Sequence, residues 1–180
     1  MTSRYVLLDR DGVINYDSDE FIKSPEEWIP ISGSLEAIAL LNDNGYKVVV
    51  ISNQSGVARG LFDLATLEQI HEKMRQKVAE RQGEIEAVYF CPHGPDDNCR
   101  CRKPKAGLLE QFAAEYRVDL INLPFVGDSW RDIEAARVVG ARPMLVKTGK
   151  GQRTLAAHPD INIPVFESLY DAAKFIVTEK

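Results

Sequence analysis

At 180 residues the chain is sized for about one domain, and 44% apolar against 27% charged residues is ordinary globular usage, which excludes disorder and fibrous architecture. Lys and Arg number 22 against 27 Asp and Glu, and this net charge of -5 lacks the positive excess on which general nucleic-acid or anionic-membrane binding rests. No apolar run exceeds five residues, far short of the roughly 18 of a membrane span, and Met1–Arg4 leads into the first apolar stretch without a signal-peptide pattern, so a cytoplasmic protein is expected.

The first predicted element is a strand, Tyr5–Leu8. After an irregular stretch over 15–33, Leu35, Ile38 and Leu41 share one helical face, and Gly45 can end that helix. A second strand follows at Lys47–Ile51. The spacing of Leu67, Ile70, Met74 and Val78 predicts a second helix, with Asp63 as N-cap and Gly83 beyond its end. A third strand, Ala87–Phe90, runs into a second irregular stretch at 91–105. Leu108, Leu109, Phe112 and Tyr116 mark a third helix, Pro124–Val126 a fourth strand, and Ile133, Ala136 and Val139 a fourth helix closed by Gly140. Met144–Val146 is a fifth strand, and Leu169, Ala172, Ala173 and Ile176 mark a last helix. The strands are continuously apolar, as expected when both faces are covered. Such alternation implies right-handed βαβ units in a doubly wound parallel sheet of the α/β class. No repeat, low-complexity tract or linker divides the chain, so 1–180 is expected to form a single domain.

Ligands of doubly wound sheets bind beyond the carboxyl ends of the strands. Asp9-Arg10-Asp11-Gly12 follows the first strand, Ser52-Asn53-Gln54-Ser55-Gly56 the second, a Cys/His loop with a basic run the third, and Gly127-Asp128-Ser129 the fourth. Residues two apart in extended chain point to one side, so the Asp9 and Asp11 carboxylates could face a common site, with Gly12 allowing a sharp turn. Like charges so close need a cation or a proton. With Asp128 they form an oxygen set suited to Mg2+. Taken alone, the Asp-x-Asp-Gly segment is equally compatible with a strand-terminating turn. Asp132, four residues after Asp128, is either a supporting acid or a first-turn helix acid.

Cys91, His93, Cys99 and Cys101 lie within 11 residues and comprise every cysteine of the chain. Three thiolates and one imidazole fill a tetrahedral Zn2+ shell, leaving no open position, so this zinc would be structural. Arg100, Arg102, Lys103 and Lys105 follow as a basic run that can face phosphate or simply be solvated.

Asp9-Arg10-Asp11-Gly12-Val13-Ile14-Asn15, Ser52-Asn53, Lys103, and Gly127-Asp128 with Asp132 resemble, in order, the four motifs of the haloacid dehalogenase superfamily of phosphatases. The resemblance implies that superfamily's Rossmann-like fold; the chain has no long insertion that could form a large cap domain, and the Cys/His spacing adds a zinc-stabilised loop. The resemblance also implies Asp9 as nucleophile and Asp11 as acid and base. Mg2+ would sit on Asp9, Asp128 and the Asp11 carbonyl, and Ser52, Asn53 and Lys103 would hold the phosphoryl oxygens. The zinc loop with Cys101-Arg102-Lys103-Pro104 narrows the resemblance to two branches, the heptose bisphosphate phosphatases of lipopolysaccharide-core sugar synthesis and the histidinol-phosphate phosphatases. Ser52 through Gly60 looks more like the heptose branch. On that resemblance the substrate is a small sugar phosphate, held by Arg102, by Asn53, Gln54, Ser55 and Arg59, and by the 17–21 segment through Asp17 and Phe21. A monomer is expected. A non-catalytic zinc module that binds a partner through the basic loop is the rival reading; it leaves the carboxylates at successive strand ends unexplained.

Overall fold

The computed structural model describes residues 3–179. In chain order the elements are β1 (Arg4–Leu8), a 3-10 turn (Pro25–Glu27), α1 (Ser34–Asp43), β2 (Tyr46–Asn53), α2 (Leu64–Glu80), β3 (Ile85–Cys91), α3 (Gly107–Tyr116), β4 (Pro124–Gly127), α4 (Trp130–Val138), β5 (Arg142–Val146), α5 (Gly151–Ala157), β6 (Val165–Phe166) and α6 (Leu169–Thr178). The six strands form one parallel sheet in the order β3-β2-β1-β4-β5-β6. The order reverses between β1 and β4, so a crevice opens past the carboxyl ends of those two strands.

Strand alternation sends successive side chains to opposite faces, and both are covered. Val6, Leu8, Val48, Val50 and Val126 pack with buried residues of α1, α2 and α6. Tyr5, Leu7, Val49, Ile51 and Phe125 pack on the other face with Leu108, Leu109 and Phe112 of α3 and Ala135 and Ala136 of α4. This two-sided burial is why the strands lack polar alternation. Asp63 caps α2 by accepting from the Thr66 amide at 2.8 Å. The left-handed residue that closes α2 is Gln82, while Gly83 is instead squeezed against Val78 and Ile38.

Two features differ from the sequence expectation. Strand β2 runs on through Ser52 and Asn53, which pair with Phe90 and Cys91, so these polar residues are the strand's own end rather than a following loop. The short elements α5 and β6 were not anticipated: α5 buries only Gly151 and Thr154 and so carries no apolar periodicity, and β6 has two residues. Among the described residues, no helix is long and apolar enough to cross a membrane.

Candidate active site

The side chains gather where the sheet order reverses. Asp9 follows β1, whose last pairing to β4 is Leu8 with Val126, and Asp128 follows β4 directly. The two are joined by Asp132 from the first turn of α4, and one carboxylate oxygen of each lies within 4.8 Å of the others. The Lys103 ammonium sits against this group, donating to Asp9 Oδ1 at 2.9 Å, Asp132 Oδ1 at 2.7 Å and the Ile51 carbonyl at 2.7 Å. Burial alone would drive the Lys103 pKa down; Asp132 and then Asp9 reverse that and hold it above its ordinary value. Three buried carboxylates still face one ammonium. Burial, then the Asp132 charge, pushes Asp9 up to about 7 against the pull of Lys103. Burial and the charges of Asp9 and Asp132 likewise raise Asp128. A hard divalent cation fits this uncompensated oxygen set.

Asp132 therefore has both of the roles its position allowed. Its Oδ2 accepts from the Asp128 and Ser129 amides and the Ser129 hydroxyl, forming a capping box at the start of α4, while Oδ1 holds Lys103. Gly12 adopts φ +82°, and a Cβ there would collide with the Asp128 carboxylate. The sharp turn foreseen at this glycine is thus also a steric requirement of the site.

Asp11 lies outside the three-carboxylate group. The chain leaves the strand after Leu8, so extended alternation does not govern the pair. The Asp11 Oδ1 accepts from Arg10 Nε at 3.0 Å and Asn15 Nδ2 at 2.9 Å, and Oδ2 accepts from Gln54 Nε2 at 3.1 Å. Burial would raise its pKa, but the Arg10 charge and these donors outweigh burial and lower it. Asp9 and Asp11 still line one cavity of about 370 Å3, together with Asp128, Asp132 and Lys103. Its remaining wall comes from Asp17, Ser18, Asp19, Phe21 and Ile22 on one side and Asn53, Gln54, Ser55 and Arg102 on another. Ser129, Trp130, Arg131, Lys150 and Arg153 complete it.

Two expected site residues are placed differently. Ser52 is buried off the cavity wall, and its hydroxyl accepts from Gln54 Nε2 at 2.7 Å. Arg59 stacks over the Phe21 ring, 5.3 Å from its centroid, and is not part of the wall. Asn53 works on the backbone: its amide accepts from the Lys103 N–H at 2.9 Å and donates to the Lys103 carbonyl at 3.1 Å, fixing that residue across the sheet end. The C-terminal region, which shows no chemistry in sequence, contributes more than expected. The Lys150 amide donates to Asp128 Oδ2 at 2.8 Å, and the Thr154 hydroxyl donates to the Asp128 carbonyl at 2.9 Å. The Lys150 ammonium also pairs with Asp17 at 3.4 Å. The loop after β5 follows the same strand-end rule as the other four, and that was the available signal.

Cys91, the last residue of β3, meets His93, Cys99 and Cys101, with one ligand atom of each within 4.8 Å of the others. The Cys91 sulfur lies 3.5 Å from His93 Nδ1 and 3.6 Å from the Cys99 sulfur, and His93 Nδ1 lies 3.3 Å from the Cys101 sulfur. All three cysteines are free thiols. Three sulfurs and one imidazole nitrogen in so small a space are a soft, four-donor set that suits Zn2+.

The HAD-hydrolase-like family model matches residues 100–172. The D-glycero-beta-D-manno-heptose-1,7-bisphosphate 7-phosphatase of Pseudomonas aeruginosa is 52% identical over 177 residues, covering 98% of this chain and 99% of the relative. The enzyme of the same description from Neisseria meningitidis serogroup A is 44% identical over 180 residues, covering 98% and 96%. Among solved structures, the D,D-heptose 1,7-bisphosphate phosphatase of B. bronchiseptica, complexed with magnesium and phosphate, superposes with a TM-score of 0.95 at 49% identity, covering 98% of this chain and 99% of that one. The counterpart from Burkholderia thailandensis has a TM-score of 0.78 at 41% identity, covering 98% and 99%. About half of the residues and the whole course of the backbone are thus shared, and the chain belongs to the heptose-1,7-bisphosphate 7-phosphatase family of haloacid dehalogenase-like hydrolases.

Proposed function

We propose that the chain is a Mg2+-dependent phosphomonoesterase that removes the 7-phosphate of D-glycero-D-manno-heptose 1,7-bisphosphate, a cytoplasmic, monomeric enzyme of ADP-heptose and lipopolysaccharide-core synthesis. The observation that carries this reading is the buried group of Asp9, Asp128 and Asp132 around Lys103, at the floor of a cavity whose rim carries Arg102, Arg131, Lys150 and Arg153. Family membership supplies the substrate.

Asp9 attacks phosphorus, and the bond from phosphorus to the sugar oxygen breaks, leaving an aspartyl phosphate. Asp11 gives its proton to the departing oxygen, then takes one from the water that attacks the aspartyl phosphate and frees inorganic phosphate. In the resting site Asp11 is a carboxylate, ready for the second role. The arriving phosphate dianion raises its proton affinity by like-charge repulsion, which serves the first. Mg2+, held by the Asp9 and Asp128 carboxylates and the Asp11 carbonyl, would neutralise charge between nucleophile and phosphate. Lys103 holds a phosphoryl oxygen, and Ser52, behind the wall, accepts from Gln54 Nε2 and so steadies the amide that borders the site. Burial and the neighbouring Arg131 charge lower the Arg102 pKa, the mark of a crowded cationic wall that suits a second phosphate. Asp17, Phe21, Gln54 and Ser55 border the sugar, and Arg59 acts through Phe21. Zn2+ on Cys91, His93, Cys99 and Cys101 would pin the loop that delivers Arg102 and Lys103.

Phosphate release tests this directly. Heptose 1,7-bisphosphate should be hydrolysed with Mg2+ and not with EDTA, far faster than histidinol phosphate, and Asp9→Asn should lower kcat by about 10³-fold or more. A preference for histidinol phosphate would replace the substrate and keep the chemistry. Full activity in Asp9→Asn would remove the aspartyl-phosphate route.

A further inference from the structure

Arg10 has no solvent exposure and lies behind Asp11, off the cavity wall. A guanidinium is costly to bury unless its donors are met. Its Nε donates to Asp11 Oδ1, and Nη2 approaches the same oxygen at 2.9 Å, although off the hydrogen-bonding angle. The remaining arm, Nη1, lies 3.1 Å from His71 Nε2, on the buried face of α2 and 61 residues along the chain. A guanidinium can only donate, so this ring nitrogen accepts, and the imidazole proton is on Nδ1. Burial, and then the Arg10 charge, lowers the His71 pKa to about 3, so the ring is neutral at physiological pH. Phe90 of β3, 5.8 Å between centroids, flanks the ring.

The two oxygens of Asp11 are consequently unequal. Arg10 and Asn15 crowd Oδ1, whereas Oδ2 meets a single donor, Gln54, which also bonds Ser52. We propose that His71 is a positioning residue that aims Arg10, and through it locks Asp11 Oδ1, so that Oδ2 is the oxygen that exchanges the proton with the substrate. This rests on the phosphatase reading above and deepens it. The arrangement spans β1, α2 and the β2 end, so a helix that contributes nothing to the cavity wall sets the geometry of the acid and base.

Two substrates separate this role from a general loss of structure. A sugar phosphate needs a proton on its leaving oxygen, whereas p-nitrophenyl phosphate does not; both need a base when water attacks the aspartyl phosphate. In His71→Leu, kcat for heptose bisphosphate should fall about tenfold, a part of the 10²–10⁴ that a positioned acid and base contributes, with KM changed by less than about twofold. With p-nitrophenyl phosphate the same variant should release about one equivalent of nitrophenolate in a burst and then turn over slowly. His71→Gln, whose amide oxygen can still accept from Arg10, should recover kcat to within about threefold of the native enzyme. Arg10→Lys keeps the charge and removes the fork, and should show the same burst, so the proposal stays testable should His71→Leu not fold. Equal losses in the Leu and Gln variants, no burst in either His71→Leu or Arg10→Lys, or an effect confined to KM would overturn it. A native enzyme that releases phosphate from neither substrate would remove the phosphatase reading, and the positioning role with it.

Discussion

At the scale of single residues, the site depends on side chains that hold several partners at once. Asp132 caps α4 with one oxygen and grips Lys103 with the other. Asp132→Ala leaves a buried ammonium with one carboxylate fewer and three donors at the start of α4 unmatched. The expected cost is about 3 kcal/mol, the range for breaking one partner of a buried pair, read as a lower urea midpoint, together with a fall in kcat. His71 gives a pH dependence whose sign can be worked out. Its folded pKa of about 3 lies below the ordinary 6.5, so the unfolded chain binds the extra proton between those values. Its contribution to stability is therefore complete above 6.5 and is lost as pH falls towards 3, at up to about 1.4 kcal/mol per pH unit. Urea titrations at pH 7 and 5.5 should show the native chain losing more stability than His71→Gln over that interval. The candidate reacting and ligand residues were legible in sequence: Asp9, Asp11, Lys103 and Asp128 all reach one cavity. The partners of Arg10 were not, because a histidine on an apolar helix face carries no mark of what lies opposite it.

At the scale of elements, the segment from Cys91 to Lys105 has almost no regular structure of its own, yet it sets Lys103. Its anchors are the end of β3, the Asn53 amide on the Lys103 backbone, and the Cys/His cluster. On the zinc proposal, the native protein holds one Zn2+ per chain by elemental analysis. Removal with a zinc-selective chelator should lower kcat about tenfold or more, and added Mg2+ should not restore it. Retained activity in metal-stripped protein would separate the loop from the catalytic geometry. Ligand spacing made this cluster visible in sequence because all four donors lie within 11 residues. Helix α5 was invisible for the opposite reason: its contribution is one backbone amide and one hydroxyl, which leave no periodic or compositional trace.

At the scale of the whole molecule, the catalytic end and the stabilising core are separable. Helix α6 lies beside α1, burying Leu169, Ala172, Ala173 and Ile176 in the same apolar cluster as Val48 and Val50. The Tyr46 hydroxyl donates to the Ile176 carbonyl at 3.4 Å, at the start of β2, the amino end of the strands and so opposite the cavity. Ile176→Ala should therefore cost about 2–4 kcal/mol of stability while kcat and KM of the folded enzyme at 20 °C stay at the native values. Thermal unfolding and steady-state kinetics on one preparation would check both halves.

The order of β1 to β5 with α1 to α4 and α6, the two-sided burial of the sheet, the acids at the ends of β1 and β4 and the four-ligand loop were all determined by the amino-acid sequence alone. Apolar periodicity, caps and short ligand spacings are local signals, and the rule that ligands gather past strand ends is a property of the fold class. Only the tertiary structure decided that Asp132 joins Asp9 and Asp128, that Ser52 lies behind Gln54, that Lys150 and Thr154 support Asp128, and that His71 meets Arg10. All but the Ser52–Gln54 case pair residues from different elements, most of them distant in sequence. Their meeting depends on the strand order β3-β2-β1-β4-β5-β6 and on side-chain packing, neither of which leaves a local pattern in the chain.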